Sequence, residues 1–479
     1  MRQHGKPVRM GAGIGRRDFM KSASAAVLAS TLARPAFAQQ ARTLIKGGVV
    51  LSFDRNVGDF ENADVLIEGS KIAAVRPNIS ADAAVIDAAN TIVLPGFIDT
   101  HHHFYQSPLR NVLPNGVLAD YFRDISGAAT SQYRVEDAYI GNLIGALRSI
   151  DAGITTITDL SQVSNTPEHS DALIKGLKDS GIRAIYAYSR GSGPGAKYPG
   201  DAERILKQHF ASADQLVTMA VGTAVNKEQW LLARKLGLRI FTHVVGGNRG
   251  VGPDDVMKLG DEGLMGGDNV YIHFTNATNE QMRRVKDTGG WLSIACPIEM
   301  AMRHGMPPIQ QALDVGIRPS LSSDVETTMA ADMFTQMRSV FTLQRALINE
   351  RSIKGEKELP PLLTSRDVVE FATLQGARAN GLEAKVGTLT PGKEADLVLL
   401  RTDLPNTLPF NSAYGAIVTA MDTSNVDTVM IAGKVLKRGG KLVGVDLASI
   451  GRQAAASRDY LVGKLGWPRS VIERTLSGH

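Results

Sequence analysis

The chain has 479 residues, enough for one large or two ordinary domains, and its 43% hydrophobic and 21% charged content excludes a largely disordered protein. A single cysteine, Cys296, excludes an internal disulfide framework and leaves too few thiolates for a structural zinc finger or an iron–sulfur cluster. Residues 1–38 contain seven basic residues and one acidic residue, a charge of +6. Because the formal net charge of the whole chain is +5, the remaining residues carry about −1. A nearly neutral chain supports neither nucleic-acid nor anionic-membrane binding.

Residues 1–38 have the pattern of an export signal, although an ordinary basic tail is the alternative. Arg16-Arg17-Asp18-Phe19-Met20-Lys21 precedes a weakly apolar stretch, 22–33, that is too short for a permanent membrane span. Ala36-Phe37-Ala38 then offers a cleavage site flanked by small residues. The segment resembles a twin-arginine signal. That resemblance implies the twin-arginine export machinery as a partner, export of the folded protein, and a periplasmic or secreted location without a membrane anchor.

Short alternating strands follow the signal and return near the other end of the chain. They are separated by Gly, Asn and Ser turns. The segments are 43–51, 63–69 and 71–75 on one side and 386–389, 395–400 and 426–436 on the other. We therefore predict one composite β-sandwich domain built from residues 42–93 and 384–442.

Residues 94–383 alternate strands with amphipathic helical stretches, which is the pattern of an α/β fold with parallel strands. The eight candidate strands are 92–99, 154–159, 183–188, 216–221, 239–243, 270–273, 291–295 and 318–322. Eight such units predict a (β/α)8 TIM barrel, whose active site lies at the carboxyl ends of the strands. The remaining segment, 443–479, is predicted to be a helical tail that ends at Trp467-Pro468.

The first barrel strand ends in the run Asp99-Thr100-His101-His102-His103. Because side chains alternate along a strand, His101 and His103 are expected on one face and His102 on the other. Two imidazoles on one face can bind zinc, iron, cobalt or another divalent metal. A polar loop in which histidines happen to cluster is the alternative.

Three further strand ends carry metal-capable side chains, namely His243, His273 and Asp324. Any one of them alone is more often a hydrogen-bonded core or loop residue. Together with His101 and His103, however, they occupy strand ends that a barrel brings to one place. The sequence thus predicts a metal site there.

These motifs, with the closing run Val386-Gly387-Thr388-Leu389 and its continuation to Leu400, resemble the amidohydrolase superfamily. The resemblance is to the branch that contains the atrazine and triazine hydrolases and cytosine deaminase, and it spans residues 43–442. It implies one divalent ion, zinc or else iron, cobalt or manganese, held by His101, His103, His243 and Asp324. It further implies that His273 is either a ligand or a neighbour that polarises the substrate, and that a homo-oligomer forms.

The chain departs from this family pattern three residues after His243. Deaminases of the branch carry a proton-shuttling Glu there, whereas this chain has Gly246. The fourth strand also ends without a Lys that could bridge two metals, which favours a mononuclear site. We therefore expect a hydrolase of a non-peptide C–N bond in an amide, carbamate, urea or amino-substituted heterocycle.

The expected mechanism begins with a metal that lowers the pKa of a water molecule toward neutrality. Asp324 takes the proton and delivers it to the leaving group, while His273 stabilises the developing oxyanion. Glu299 or Glu326 is the candidate replacement for the missing Glu, although each is otherwise expected to be an exposed loop carboxylate.

Substrate contacts are predicted at Gln106, His273 and Glu299, with His102, Phe104 and Tyr105 as further candidates. Two Gly-rich loops, 190–195 and 246–250, are candidate lids, and Arg249 within the second is a candidate partner for a substrate carboxylate. Three other functions remain open. The protein is a ring aminohydrolase that releases ammonia, a metal-dependent decarboxylase, or a non-catalytic periplasmic binding protein.

Overall fold

The computed structural model describes residues 42–245 and 251–472. The predicted export signal, Gly246 and the predicted lid 246–250 therefore lie outside the described residues. Among the described residues, no helix combines the length and apolarity that a membrane span requires.

The barrel consists of eight parallel strands hydrogen-bonded in chain order. They are β6 (Phe97–His102), β7 (Ile154–Asp159), β8 (Arg183–Tyr188), β9 (Val217–Thr223), β10 (Ile240–Val245), β11 (Asn269–Thr275), β12 (Trp291–Ile294) and β13 (Ser320–Leu321). The fold class predicted from the alternation of strands and helices is confirmed.

Contacts just after β13 connect the last strand to the first. The backbone N–H of Asp324 donates to the carbonyl of His101 at 3.0 Å, and the N–H of His103 donates to the carbonyl of Asp324 at 3.1 Å. Three residues predicted to share a metal site are thus joined through the main chain.

The second sheet has nine strands and combines both ends of the described chain. Its strands are β1 (Arg42–Val50), β2 (Phe60–Glu68), β3 (Lys71–Arg76), β4 (Ala84–Asp87), β5 (Thr91–Pro95), β14 (Leu397–Arg401), β15 (Val426–Ile431), β16 (Lys434–Arg438) and β17 (Lys441–Leu442). Strand β5 joins the two halves, because it pairs in parallel with β1 and antiparallel with β14. The domain limits proposed from the sequence stay a prediction.

The predicted strand 386–389 is bend and loop in the structure, and the predicted strand 92–99 is wrong in its bounds. The continuous run 92–99 was expected to be the first barrel strand, but it divides at Gly96 into β5 of the second sheet and β6 of the barrel. The backbone N–H of Gly96 donates to the carbonyl of Asp396, and a Cβ at Gly96 would lie 2.1 Å from the side chain of Thr155. Only glycine fits this close approach between the two sheets.

Helices cover the barrel and the edge of the second sheet. They are α1 (Leu118–Asp120), α2 (Val135–Asp151), α3 (Pro167–Ser180), α4 (Ala202–His209), α5 (Lys227–Lys235), α6 (Pro253–Asp261), α7 (Asn279–Asp287), α8 (Cys296–Ala301), α9 (Ile309–Asp314), α10 (Met333–Ile353), α11 (Ser365–Glu370), α12 (Gly376–Ala379), α13 (Ala413–Thr419) and α14 (Leu447–Leu465). In the tail, α14 is one continuous helix that packs on α2 through Ala454 and ends at Gly466, whose φ is +65°.

Candidate active site

Four side chains from three strand ends meet at the carboxyl end of the barrel. The Nε2 atom of His243 lies 3.2 Å from Nε2 of His101 and 3.4 Å from Nε2 of His103. Oδ1 of Asp324 lies 3.1 Å from Nε2 of His101 and 3.5 Å from Nε2 of His103. Three imidazole nitrogens and a carboxylate oxygen therefore face one another, as the sequence predicted from the strand ends.

His273 stands beside this group and is held from behind by Glu299. Its Nδ1 lies 3.1 Å from Oε1 of Glu299, and its Nε2 lies 3.6 Å from Oδ2 of Asp324. Both His273 and Asp324 have a positive φ, +68° and +61°, which non-glycine residues seldom adopt. Such backbone conformations cluster at functional sites, where the surrounding structure enforces them.

The cluster opens into a cavity of about 370 Å³, a size suited to a small organic molecule. His103, His243, His273 and Asp324 all line it. The remaining wall includes apolar and aromatic side chains, Leu118, Tyr121, Phe122, Leu160, Met302 and Val325, and polar ones, Gln162, Arg190, Thr223 and Gln229. The site can therefore hold an apolar or aromatic ring against the metal-capable cluster.

Comparison with known proteins gives a family match over residues 92–436, to the model of the Amidohydrolase family. The chain belongs to the amidohydrolase family.

Curated relatives of this amidohydrolase span nearly its whole length. A 5'-deoxyadenosine deaminase of Methanothermobacter thermautotrophicus is 26% identical over 88% of this chain and 99% of its own. A 5-methylthioadenosine/S-adenosylhomocysteine deaminase of Symbiobacterium thermophilum is 26% identical over 82% of this chain and 93% of its own.

Two solved structures share the fold. An adenosine deaminase from Xanthomonas campestris with bound zinc superposes with a TM-score of 0.79 at 20% identity, covering 89% of this chain and 99% of that one. The zinc complex of an atrazine chlorohydrolase from Arthrobacter aurescens has a TM-score of 0.75 at 22% identity, covering 87% of this chain and 100% of that one. The predicted class of enzyme, a hydrolase of C–N bonds other than peptide bonds, is confirmed.

The donor set of the amidohydrolase fits a divalent metal ion. Burial lowers the pKa of His101 to about 3 and also lowers the pKa values of His103 and His243, so the three rings are neutral and can offer lone pairs. Burial by itself raises the pKa of Asp324, but the hydrogen bond with His101 and the charge of His273 hold it well below its ordinary value. Three neutral imidazoles and one carboxylate are a ligand set that zinc accepts.

Neighbouring groups fix how these donors are oriented. Nδ1 of His103 donates to the carbonyl of Leu160 at 2.7 Å, which leaves Nε2 of His103 free for a ligand. The carboxylate of Asp99 accepts the backbone N–H groups of His101 and Ser323, both at 3.2 Å, and the hydroxyl of Ser323. Asp99 thus ties the end of β6 to the segment that carries Asp324.

Several predicted pocket residues lie behind the cavity wall. Gln106 is fully buried and donates through Nε2 to the hydroxyls of Tyr105 and Tyr121, at 3.0 and 2.7 Å. Of these three, only Tyr121 lines the cavity. His102 points away from the cluster, as predicted, and its Nδ1 lies 3.0 Å from Oγ of Ser323. Gln106 and His102 therefore support the site without reaching the cavity formed by the described residues.

The expectation that Glu299 and Glu326 are exposed loop carboxylates is wrong for both. Glu299 is fully buried, and its Oε1 accepts the N–H of Ala295 at 2.9 Å besides contacting His273. Glu326 is buried as well, and it accepts hydrogen bonds from Ser107 at 2.6 Å and Arg110 at 2.9 Å. Glu299 can act on the site through His273, whereas Glu326 lies outside the cavity.

Among the metal-capable side chains that line the cavity, one escaped prediction. His304 follows α8 and lines the cavity, with its ring centroid 4.7 Å from that of His273. It ends no strand, so the pattern that located the other histidines did not include it. The only sequence signal is that a histidine, scarce in this chain, follows the strand-seven end by a few residues.

Proposed function

We propose that this amidohydrolase uses one zinc ion to hydrolyse the bond between a heteroaromatic ring carbon and its amino substituent. His101, His103, His243 and Asp324 would hold the ion. The observation that carries the proposal is the opening of this donor set into a cavity whose apolar and aromatic walls suit a flat ring. The deaminase activities named for the relatives of this chain support the same substrate class.

The ion would supply Lewis acidity that activates water for attack on the ring carbon. Asp324 is a carboxylate at neutral pH because its pKa is held low, so it can accept the proton of the attacking water. The carbon–oxygen bond forms, the carbon–nitrogen bond breaks, and Asp324 returns the proton to the departing amine.

His273 would polarise the substrate rather than bind the ion. Burial by itself lowers the pKa of His273, but the hydrogen bond from its ring to Glu299 and the nearby Asp324 raise it overall. A protonated His273 can donate from Nε2 into the cavity while Nδ1 remains bonded to Glu299. The pair therefore offers a proton donor that the Gly at position 246 cannot provide, and Glu299 acts as its positioning residue.

Hydrolysis of an amide or carbamate is a second candidate, favoured by that same glycine. Acyl substrates need no ring protonation before attack, so they are less dependent on a carboxylate at position 246. Asp324 alone could then serve as both base and acid. The carbon product separates the two candidates, because a ring aminohydrolase leaves a hydroxylated ring beside ammonia and an acyl hydrolase leaves a carboxylic or carbamic acid.

The decisive experiment combines metal analysis with a substrate panel on the purified mature protein. We expect about one equivalent of metal, with zinc supporting the highest activity. We also expect chelator-sensitive release of ammonia from aminated purines and triazines, and little release of amine or acid from amides, carbamates and ureas. Two equivalents of metal, or none, would contradict the ligand assignment, and acyl products alone would favour the second candidate.

We further propose that residues 1–38 direct the folded enzyme through the twin-arginine pathway to the periplasm or beyond. The support is the paired arginine, the short apolar stretch and the small residues of the cleavage site. Replacing Arg16 and Arg17 with Lys should retain the full-length protein in the cytoplasm. Normal export of that variant, measured by fractionation, would contradict the proposal.

A further inference from the structure

His304 is a cavity residue for which the proposed function has no use. Its side chain is 3% exposed, and neither ring nitrogen has a hydrogen-bond partner among the described residues. An unpaired buried polar atom destabilises the protein, so such a group is expected to have a partner when the protein is at work. Because His304 lines the cavity, a bound small molecule can be that partner.

The backbone of His304 is anchored to the end of β11. Its carbonyl accepts the hydroxyl of Thr275 at 2.7 Å and the side-chain N–H of Asn276 at 2.9 Å. Its own N–H donates to the carbonyl of Glu299 at 3.3 Å. These bonds position the backbone of His304, and its ring lies edge-on against His273, with an angle of 82° between the two planes. The backbone that carries the ring is thus in place before any ligand enters.

The position of this ring is close to the reacting centre. One donor atom from each of His273, His304 and Asp324 lies within 4.8 Å of the other two. A substrate atom beside Asp324 can therefore contact both imidazoles. Since Nδ1 of His273 is already bonded to Glu299, His273 presents a single nitrogen to the cavity.

The two imidazoles match the chemistry of an aminated ring carbon. Such a carbon carries N–H donors on its substituent and commonly has a ring nitrogen acceptor beside it. His273, held by Glu299, is the donor, and the neutral His304 ring has one nitrogen without a proton. His304 can therefore accept from the amino substituent while His273 donates to the neighbouring ring nitrogen.

We propose that His304 contacts the substrate directly and accepts a hydrogen bond from the amino group that leaves, thereby selecting amino over other leaving groups. This inference rests on the proposed function. It names the group of the substrate that the site recognises, and it assigns His304 a specificity role alongside the proton transfer by Asp324.

The test compares His304→Phe, which keeps a ring against His273, with His304→Gln, which keeps a polar atom. Turnover is measured on one heteroaromatic ring carrying either an amino or a methoxy leaving group. For His304→Phe we expect roughly a 10- to 100-fold loss of kcat/KM on the amino compound, and a loss below about 3-fold on the methoxy compound. His304→Gln should recover part of the loss.

His169→Phe is the matched control. His169 is also buried, but its ring nitrogens bond to Thr166 and to the carbonyl of Tyr133, both at 2.9 Å, and it does not line the cavity. We expect this control to lower thermal stability and to leave the ratio of amino to methoxy turnover unchanged. His304→Phe should instead fold with undiminished stability.

Binding of inert ligands separates this inference from the proposed function. Calorimetry on the zinc-loaded enzyme compares the binding of 2-aminoquinoline with that of quinoline. The ring of 2-aminoquinoline is too electron-rich for ready attack by water. The pH is chosen so that 2-aminoquinoline is unprotonated. We expect the wild type to prefer the amino compound and His304→Phe to lose that preference. If the wild type shows this preference but releases no ammonia from any ring, the proposed function alone fails.

Three outcomes would overturn the role of His304. The first is an equal loss of turnover on the amino and methoxy compounds in His304→Phe, which would mean that the ring only packs. The second is the absence of a binding preference for 2-aminoquinoline in the wild type. The third is the loss of a metal equivalent in His304→Phe. The last result would make His304 a metal ligand instead.

Discussion

The two ends of the barrel differ in how their buried polar side chains are satisfied. At the amino end of β8, Arg183 donates to both carboxylate oxygens of Asp396, at 2.7 and 3.0 Å, and Asp396 also accepts the N–H of Ala432 at 2.8 Å. At the carboxyl ends of the strands, His101 has one ring nitrogen without a hydrogen-bond partner among the described residues, and His304 has two.

This difference separates stability from function. The Arg183–Asp396 pair at the amino end joins the barrel to the second sheet, and the chain itself supplies the hydrogen-bond partners of both side chains. At the carboxyl end, by contrast, both ring nitrogens of His304 have no partner among the described residues, and under the inference above a substrate supplies one. Mutations at the two ends should accordingly affect different measurements.

The largest expected effect comes from the carboxyl end. Asp324→Ala removes a proposed metal ligand together with the proposed base, so turnover should fall by roughly 10⁴-fold or more. Metal content, measured on the same preparation, should fall with it. Substantial retained turnover would contradict the proton role of Asp324.

Arg183→Met should show the opposite behaviour at the amino end. Breaking a buried ion pair leaves the Asp396 carboxylate without its partner and is expected to cost about 3–5 kcal/mol of stability. Urea unfolding should report this loss, while kcat per folded molecule stays near that of the wild type. The double variant Arg183→Met/Asp396→Leu should recover part of the stability, since no uncompensated charge remains buried. A large fall in kcat would contradict the separation of the two ends.

The sequence predicted those residues of the site at the carboxyl end whose positions follow from strand periodicity. His101 and His103 on one face, and His243, His273 and Asp324 at later strand ends, follow from alternation along strands and the convergence of barrel strands. The structure brings together the residues that this reasoning selected.

What sequence reasoning missed depends on contacts between distant segments. The run 92–99 has the apolar content of one strand, and only its pairing with β1 and β14 reveals that β5 belongs to the other sheet. The burial of Glu326 depends on Ser107 and Arg110, more than two hundred residues earlier. His304 reaches the cavity through a loop anchored by Thr275 and Asn276, and no local pattern encodes that anchorage.

The two buried glutamates near the carboxyl end provide a finer test. Glu299 keeps the pKa of His273 raised, so Glu299→Gln should lower that pKa. If protonated His273 is the donor, activity falls as pH rises through its pKa, and this fall should move to lower pH in Glu299→Gln. We also expect kcat at neutral pH to drop roughly 10- to 100-fold.

Glu326→Gln is the control for this experiment, because Glu326 is also buried but is hydrogen-bonded to Ser107 and Arg110 rather than to His273. Its pH–rate profile should overlay that of the wild type. If the pH–rate profile of Glu299→Gln also overlays that of the wild type, the proposal that Glu299 acts on the substrate through His273 is contradicted.

The smallest expected effect is on the stability provided by Glu326 itself. Burial by itself raises its pKa, but the charges of Arg110, His102 and Arg148 hold the pKa below its ordinary value. A carboxyl whose pKa is lowered by folding stabilises the protein above its unfolded-state pKa, and this contribution disappears as pH falls through the folded-state value. Glu326→Gln should therefore lose about 1 kcal/mol at neutral pH, and the gap to the wild type should close in acid. Urea midpoints across a pH series measure the gap, with Asp214→Asn as control because the Asp214 side chain is 92% exposed. A gap that persists unchanged in acid would mean that Glu326 contributes through packing rather than through its charge.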